Sequence, residues 1–280
     1  MSFEFDYRVV EPEPPLGRLV ESVWYARGTV PYTREHIAPT GSTVGILIFG
    51  DAIIETPEAG EALRSETGLL LGPHDKPVFN EPTGETFALG IVTTPVGCAS
   101  VFGQPPTSLR GRVVDWLGCD PRAVALREQL LAVSDDPARM LELVVEALET
   151  REVPTSRAFE RCERAVACLV AAPTRSIAEI ADELGVSHAH LDRQFTEIVG
   201  LTPRVLARIL RLRSLLATLD VNASVSWSAL AAEYGWYDQA HFNRDFKRYT
   251  GVTPSDYVAA QREVYAPQQP GEGAGFVPEL

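Results

Sequence analysis

Basic side chains are in short supply in this 280-residue chain. Lys and Arg number 25 against 38 Asp and Glu, a net charge of −13. The deficit is uneven. Residues 1–155 hold 12 basic and 23 acidic side chains, and residues 156–280 hold 13 and 15. The first half is therefore excluded from unspecific attraction to polyanions, and the second is close to neutral. Cysteine is scarce too. Cys98, Cys119, Cys162 and Cys168 form no C-x-x-C pair, which argues against a disulfide framework or a zinc site and for reduced thiols. Long apolar runs are missing. The stretch GILIF at 45–49 is far short of the ~20 residues a membrane helix needs. The first residues show neither the basic start nor the apolar core of an export signal, so a cytoplasmic location is expected. No Ser/His/Asp or Cys/His set, paired carboxylates or phosphate-cradling glycine loop stands out. Neither enzyme activity nor a cofactor is expected. The remaining composition, 45% hydrophobic and 22% charged, suits a folded globular chain, and the length suits two domains.

What is present is one pattern written twice. Residues 176–203 read SIAEIADELGVSHAHLDRQFTEIVGLTP, and residues 226–254 read SWSALAAEYGWYDQAHFNRDFKRYTGVTP. At an offset of 50, Ile180 falls on Leu230, Ala181 on Ala231 and Gly185 on Gly235. After one inserted residue, Leu191 falls on Phe242, Arg193 on Arg244, Phe195 on Phe246 and Gly200 on Gly251. Each copy reads as helix, glycine turn, helix. In the first, Ser176 and Glu179 fit a capping box. Ile177, Ile180, Ala181 and Leu184 share one face. Ser187 caps a second helix whose buried face is Leu191, Phe195 and Ile198. Thr202 caps a third helix that opens on Pro203. This is the helix-turn-helix layout, whose second helix enters the major groove of DNA.

The tandem arrangement, with GWYDQAHFNRDFKRYTGVTPSDY at 235–257 as its more specific copy, resembles the DNA-binding domain of the AraC/XylS family of transcription regulators. The resemblance spans residues 159 to about 262. Leu212 stands where the family commonly has a small alanine, and Asp192 stands at a base-facing place. Residues 15–151 resemble, more loosely, the effector-type domain attached to one branch of these regulators. That implies a β-rich, cupin-like domain followed by helices.

The expected fold is therefore α+β: a β-rich N-terminal domain with helices at its end, then an all-α tandem helix-turn-helix domain. Its boundaries are 1–152, a linker at 153–158, the DNA-binding domain at 159–265 and a disordered tail at 266–280. Residues 1–15 read as an extended lead-in, and 16–27 as a short helix running into a strand. Strands are expected at 44–49, 69–71, 78–80 and 87–93. Helices are expected at 121–132 and 137–151, the latter with Met140, Leu141, Val144, Val145 and Leu148 on one face. A connecting helix at 203–219, with Val205, Ile209, Leu212, Leu216 and Leu219 buried, would span ~25 Å. That is of the order needed to seat two reading helices about 34 Å apart along the duplex.

The exposed positions of the reading helices are His188, Ala189, Asp192 and Arg193 in the first, and Gln239, Ala240, His241, Asn243 and Arg244 in the second. The resemblance implies base contacts at these positions. Arginine pairs with guanine, Gln and Asn with adenine, and alanine touches a thymine methyl. Asp192 is expected to orient Arg193. Arg204, Arg208 and Arg211 form a stripe along the connecting helix for phosphate contact. Lys247 and Arg248 extend the basic cluster around Arg244. In the first domain Trp24, Tyr25, His36, Ile46 and His74 are candidates to line an effector pocket. No His-x-His pair accompanies them, so no metal is expected.

The function these features imply is a sequence-specific regulator modulated by a small-molecule effector. Its candidate partners are promoter DNA, RNA polymerase and a second copy met through the helix at 137–151, with no membrane. Two other readings stand at this point. One is a cupin-type enzyme or DNA-repair alkyl acceptor fused to a helix-turn-helix domain. The other is a ligand-free regulator controlled by a protein partner.

Overall fold

The computed structural model describes residues 5–57, 60–267, 269–271 and 273–279. Two antiparallel sheets face each other in the N-terminal domain. The first runs β1 (Phe5–Val10), β2 (Val20–Gly28), β9 (Thr86–Thr93), β4 (Val44–Ile48), β7 (Gly68–Leu71), β10 (Val113–Asp115). The second runs β11 (Phe276–Glu279), β3 (Arg34–Ile37), β8 (Val78–Pro82), β5 (Ile53–Pro57), β6 (Leu63–Ser65).

Side chains alternate across each strand, so the apolar runs of the first sheet serve two cores. Ile46, Ile48, Leu69, Leu71 and Ala88 pack with Ile53 and Val78 of the second sheet. Leu47, Leu70, Phe87, Leu89 and Ile91 point the other way, into the main core. That outer face is covered by α1 (Cys98–Phe102), α3 (Trp116–Cys119), α4 (Pro121–Leu131) and α5 (Pro137–Glu149), with α2 (Pro106–Leu109) at the edge. Asp120 and Asp136 cap α4 and α5 from the residue before each leading proline.

The second domain comprises α6 (Arg157–Ala171), α7 (Ile177–Glu183), α8 (His188–Val199), α9 (Pro203–Thr218), α10 (Trp227–Glu233), α11 (Gln239–Thr250) and α12 (Pro254–Ala260). A π-helical turn, Gln261–Tyr265, follows. The repeat is longer than the pattern read above. The offset of 50 extends back through α6 and α9, where Phe159, Cys162, Val166 and Leu169 fall on Ile209, Leu212, Leu216 and Leu219, all buried. Each unit is thus three helices. Leu212 falls at the place of Cys162, and both side chains are buried.

Several expectations are corrected. Residues 266–280 were expected to be disordered, but β11 pairs with β3, with Val277 opposite His36, and Val277 is buried. The Gly-rich composition belongs to the turn before it, where Gly271, Gly273 and Gly275 all have positive φ. Residues 1–15 contain a full edge strand, β1. Ser176 makes no side-chain cap, whereas Ser187 and Thr202 do. Leu206 and Leu210 are buried along α9, while Val205 is only half-buried, because the helix is covered from both sides. All four cysteines are free thiols. No helix among the described residues is long and apolar enough to cross a membrane.

Candidate nucleic-acid interface

Both reading helices are built alike. Gly185 (φ 69°) and Gly235 (φ 80°) turn the chain from the first helix of each unit into the second. Ser187 caps α8 by accepting from His190 N, and Asp238 caps α11 by accepting from His241 N at 2.6 Å. Leu191 and Phe195, and correspondingly Phe242 and Phe246, are fully buried. Phe242 packs against Trp236 and Trp227. With that face fixed inward, the other faces water. His188, Ala189, Arg193, Gln239, Ala240, Asn243, Arg244 and Lys247 are exposed, and Asp192 and His241 are half-buried. The sequence-derived candidates therefore share the outer faces of α8 and α11.

Three electrostatic details differ from expectation. Asp192 does not orient Arg193, since neighbours on a helix point about 100° apart. It lies 3.9 Å from His188, one turn back. Arg193 instead has its Nη2 3.1 Å from His190 Nδ1. The guanidinium of Arg161 on α6 approaches His190 Nε2 at 3.4 Å and also donates to Gln194. A neutral imidazole offers one acceptor nitrogen, so His190 serves only one of these two arginines at a time.

Arg211 is not part of an exposed stripe. Its side chain is 13% exposed and lies 3.1 Å from Asp245, which is 11% exposed. Nη1 donates to the Gly235 carbonyl at 3.1 Å, and the group stacks 4.0 Å over the Trp236 ring. Burial pulls its pKa down while Asp245 supports the charge. Asp245 also accepts from Trp236 Nε1 at 3.0 Å and lies 3.4 Å from His241. Of the three arginines on α9, Arg204 is exposed and Arg208 half-buried. Arg248 is engaged as well, paired with Asp75 of the first domain at 2.6 Å. Sequence reading missed this Asp245 hub, although an acid inside an otherwise basic helix was a signal. It also missed Tyr237, 92% exposed beside the cap of α11.

The ends of both reading helices rest on the first domain. A Cβ on Gly200 would meet Pro73 at 2.6 Å and Pro106 at 3.1 Å, and one on Gly251 would meet His36 at 2.4 Å. Arg18 grips Glu163 through two bonds of 2.7 Å, and Arg213 reaches Glu21 and the Thr40 carbonyl.

The five effector candidates do not converge. Trp24 and Ile46 lie between the sheets. Tyr25, the next residue on β2, points into the main core beside Phe87. His36 faces the second domain, against Phe79, Glu279 and the Thr250 carbonyl. His74 bonds the Gly72 carbonyl at 2.9 Å, and burial lowers its pKa. Strand alternation separates residues that sequence proximity suggested as neighbours.

Residues 180–260 match the family model of a helix-turn-helix domain, and residues 8–115 match a domain of unknown function, DUF6597. No curated protein matched the chain. Among solved structures, an apo ToxT variant from Vibrio cholerae is similar over 91% of this chain and 97% of its own, at 12% identity and a TM-score of 0.47. Vibrio cholerae ToxT bound to (E)-4-(8-methylnaphthalen-1-yl)but-3-enoic acid is similar over 91% and 98%, at 13% identity and a TM-score of 0.46. The AraC-like transcriptional activator CuxR is similar over 75% and 85%, at 15% identity and a TM-score of 0.31. The matched model and the paired three-helix units together identify residues 180–260 as a helix-turn-helix domain.

Proposed function

We propose that this chain regulates transcription by laying α8 and α11 into the major groove of a promoter duplex, and that a small molecule held by the β domain alters how those helices are presented. The observation that carries this reading is the shared geometry of the two units. Each exposes the N-terminal face of its second helix and docks the C-terminal end of that helix on the first domain. Arg193, Gln239, Asn243 and Arg244 supply donors for base edges, and His188, Ala189, Ala240 and His241 complete the two faces. Asp192, half-buried on α8, offers a carboxylate that suits a cytosine amine. Arg204, Arg208 and Lys247 supply phosphate contacts. Arg211 acts from inside, holding the Gly235 turn in place. An effector preferring one docking arrangement would shift its population and so change operator affinity.

Selection of bound sequences from random duplex DNA tests this directly, with the full chain at two salt concentrations. The expected result is a motif of two boxes about one helical turn apart, with affinity falling steeply with salt. Enrichment of no motif, with the protein folded and effector candidates present, would sink the reading.

A further inference from the structure

Cross-strand pairing in the second sheet places Glu35 of β3 opposite Asn80 of β8, and Asn80 opposite Glu55 of β5. Directly opposed residues share a face. Ile53 and Val78 lie on that same face, so the row Glu35–Asn80–Glu55 points into the space between the sheets, among Ile46, Ile48 and Leu69. Glu35 is satisfied there. It accepts from Tyr32 at 3.1 Å and from Tyr265. Glu55 is not. It is 0% exposed, and neither carboxyl oxygen has a partner, nor does Asn80 Oδ1.

Three acceptor atoms, two on Glu55 and one on Asn80, thus lie in an apolar surround without a partner among the described residues. Buried polar groups in folded proteins are nearly always paired, and an unpaired carboxylate is among the most costly to bury. A few convergent polar groups in an apolar surround are what a small-molecule site looks like. Two carboxylates and an amide are too few for calcium, which takes six to eight oxygens. An anion would meet like charge. A compact organic cation with several N–H donors would satisfy all three acceptors at once.

We propose that the Glu35–Asn80–Glu55 row is the recognition site for a small amine or guanidine, with Glu55 as its counter-ion. The proposal rests on the effector-regulated reading above and names the ligand class. It also supplies a route to DNA. Tyr265 belongs to the turn that closes the DNA-binding domain, so a cation that competes for Glu35 loosens the hold of that domain on β3. Burial raises the pKa of Glu55 well above its ordinary value, and a cation seated against it would push that pKa back down and so release protons.

The test is calorimetric titration of the full chain with agmatine and with 1,4-diaminobutane, in enough salt to screen the acidic surface, with hexanoate as the anionic comparison. Saturable binding of at least one cation, none of hexanoate, and a loss of roughly 30-fold or more in E55Q are expected. Repeating the titration in two buffers of different ionisation enthalpy reads the released proton on the unmodified protein, so the proposal stays testable if E55Q fails to fold. Binding of neither cation, equal binding of hexanoate, undiminished binding in E55Q, or binding without proton release would overturn it. Cation binding by a chain that selects no DNA motif would support the site while sinking the regulator. A selected motif with no cation binding would do the reverse.

Discussion

The two helix-turn-helix units share a scaffold and differ at its centre. In the second, Arg211 reaches from the first helix of the unit to Asp245 on the reading helix, with His241 and Trp236 closing the hub. In the first, the equivalent Arg161 reaches Gln194 and His190. One hub is an ion pair stacked on an aromatic ring, and in the other an arginine is held by an amide and an imidazole. A buried charge is costly to leave unpaired, whereas an amide is cheap to lose. The second unit is therefore held to one geometry more strictly than the first. Its outward face also carries more donors.

The sharpest way to break this comparison is at the hub itself. Asp245→Ala should cost ~3–4 kcal/mol, because it strands Arg211. Gln194→Ala should cost only ~1 kcal/mol. Urea unfolding of the two variants decides the point, and equal losses would mean that charge is not what distinguishes the units.

A second difference is how each unit is fastened, and a buried carboxyl, Glu35, stands in the fastening at the end of the second. Glu35 anchors the end of the second domain through Tyr265, and burial raises its pKa to about 7 against the bonds from Tyr265 and Tyr32. Glu55 faces it on the same row, and no cationic side chain among the described residues bonds either carboxyl. A carboxyl whose folded pKa is raised stabilises the fold when protonated. That contribution is whole below about 4.5 and is lost as pH rises toward 7. Stability should fall over that window by an amount on the order of 3 kcal/mol. Thermal unfolding in a pH series should show the fall in the unmodified chain and a smaller one in Glu35→Gln, where the share of Glu55 remains. The same slope in both would assign the dependence to other carboxylates.

Sequence specificity offers a smaller effect. Arg244→Ala should lose ~1–3 kcal/mol of discrimination at one base pair while the chain stays folded. Arg193→Ala should lose less, since Arg193 is partly engaged by His190. Competition binding on the selected site, with single-base variants, measures both. Unchanged preference in Arg244→Ala would remove α11 from its reading role.

How much of this was legible in the sequence follows from the range of the interactions. Helix boundaries, caps at Ser187 and Thr202, and the outward faces of α8 and α11 are set within a few residues, and the repeat exposed them. β4, β7 and β9 were legible because both faces are largely buried and nearly every residue is apolar. β3 and β5 were not, because Glu35 and Glu55 occupy their inward positions and erase the apolar alternation. The pairing of β11 with β3 joins residues about 240 apart, and the partner of Arg211 lies 34 residues on. No local pattern carries such contacts. Composition misled at the tail, where glycines that form a turn looked like disorder.

The two fastenings also differ in kind, and this gives the smallest effect. The first reading helix docks its C-terminal end through apolar contact, with Gly200 against Pro73 and Pro106, while α6 of the same unit carries the Arg18–Glu163 ion pair. The second leans on polar contacts: Arg248 with Asp75, and the Thr250 carbonyl with His36. Exposed ion pairs contribute ~1 kcal/mol or less and are screened by salt, while apolar contacts are not. Arg248→Ala should therefore barely change overall stability. It should nevertheless raise hydrogen exchange in α11 and α12 and leave α8 unchanged, and added salt should act in the same direction on the unmodified chain. A matching rise in α8 would mean that the units undock together. Protection confined to α8 would make the second unit the movable one, which is what a signal entering at Tyr265 and Glu35 requires.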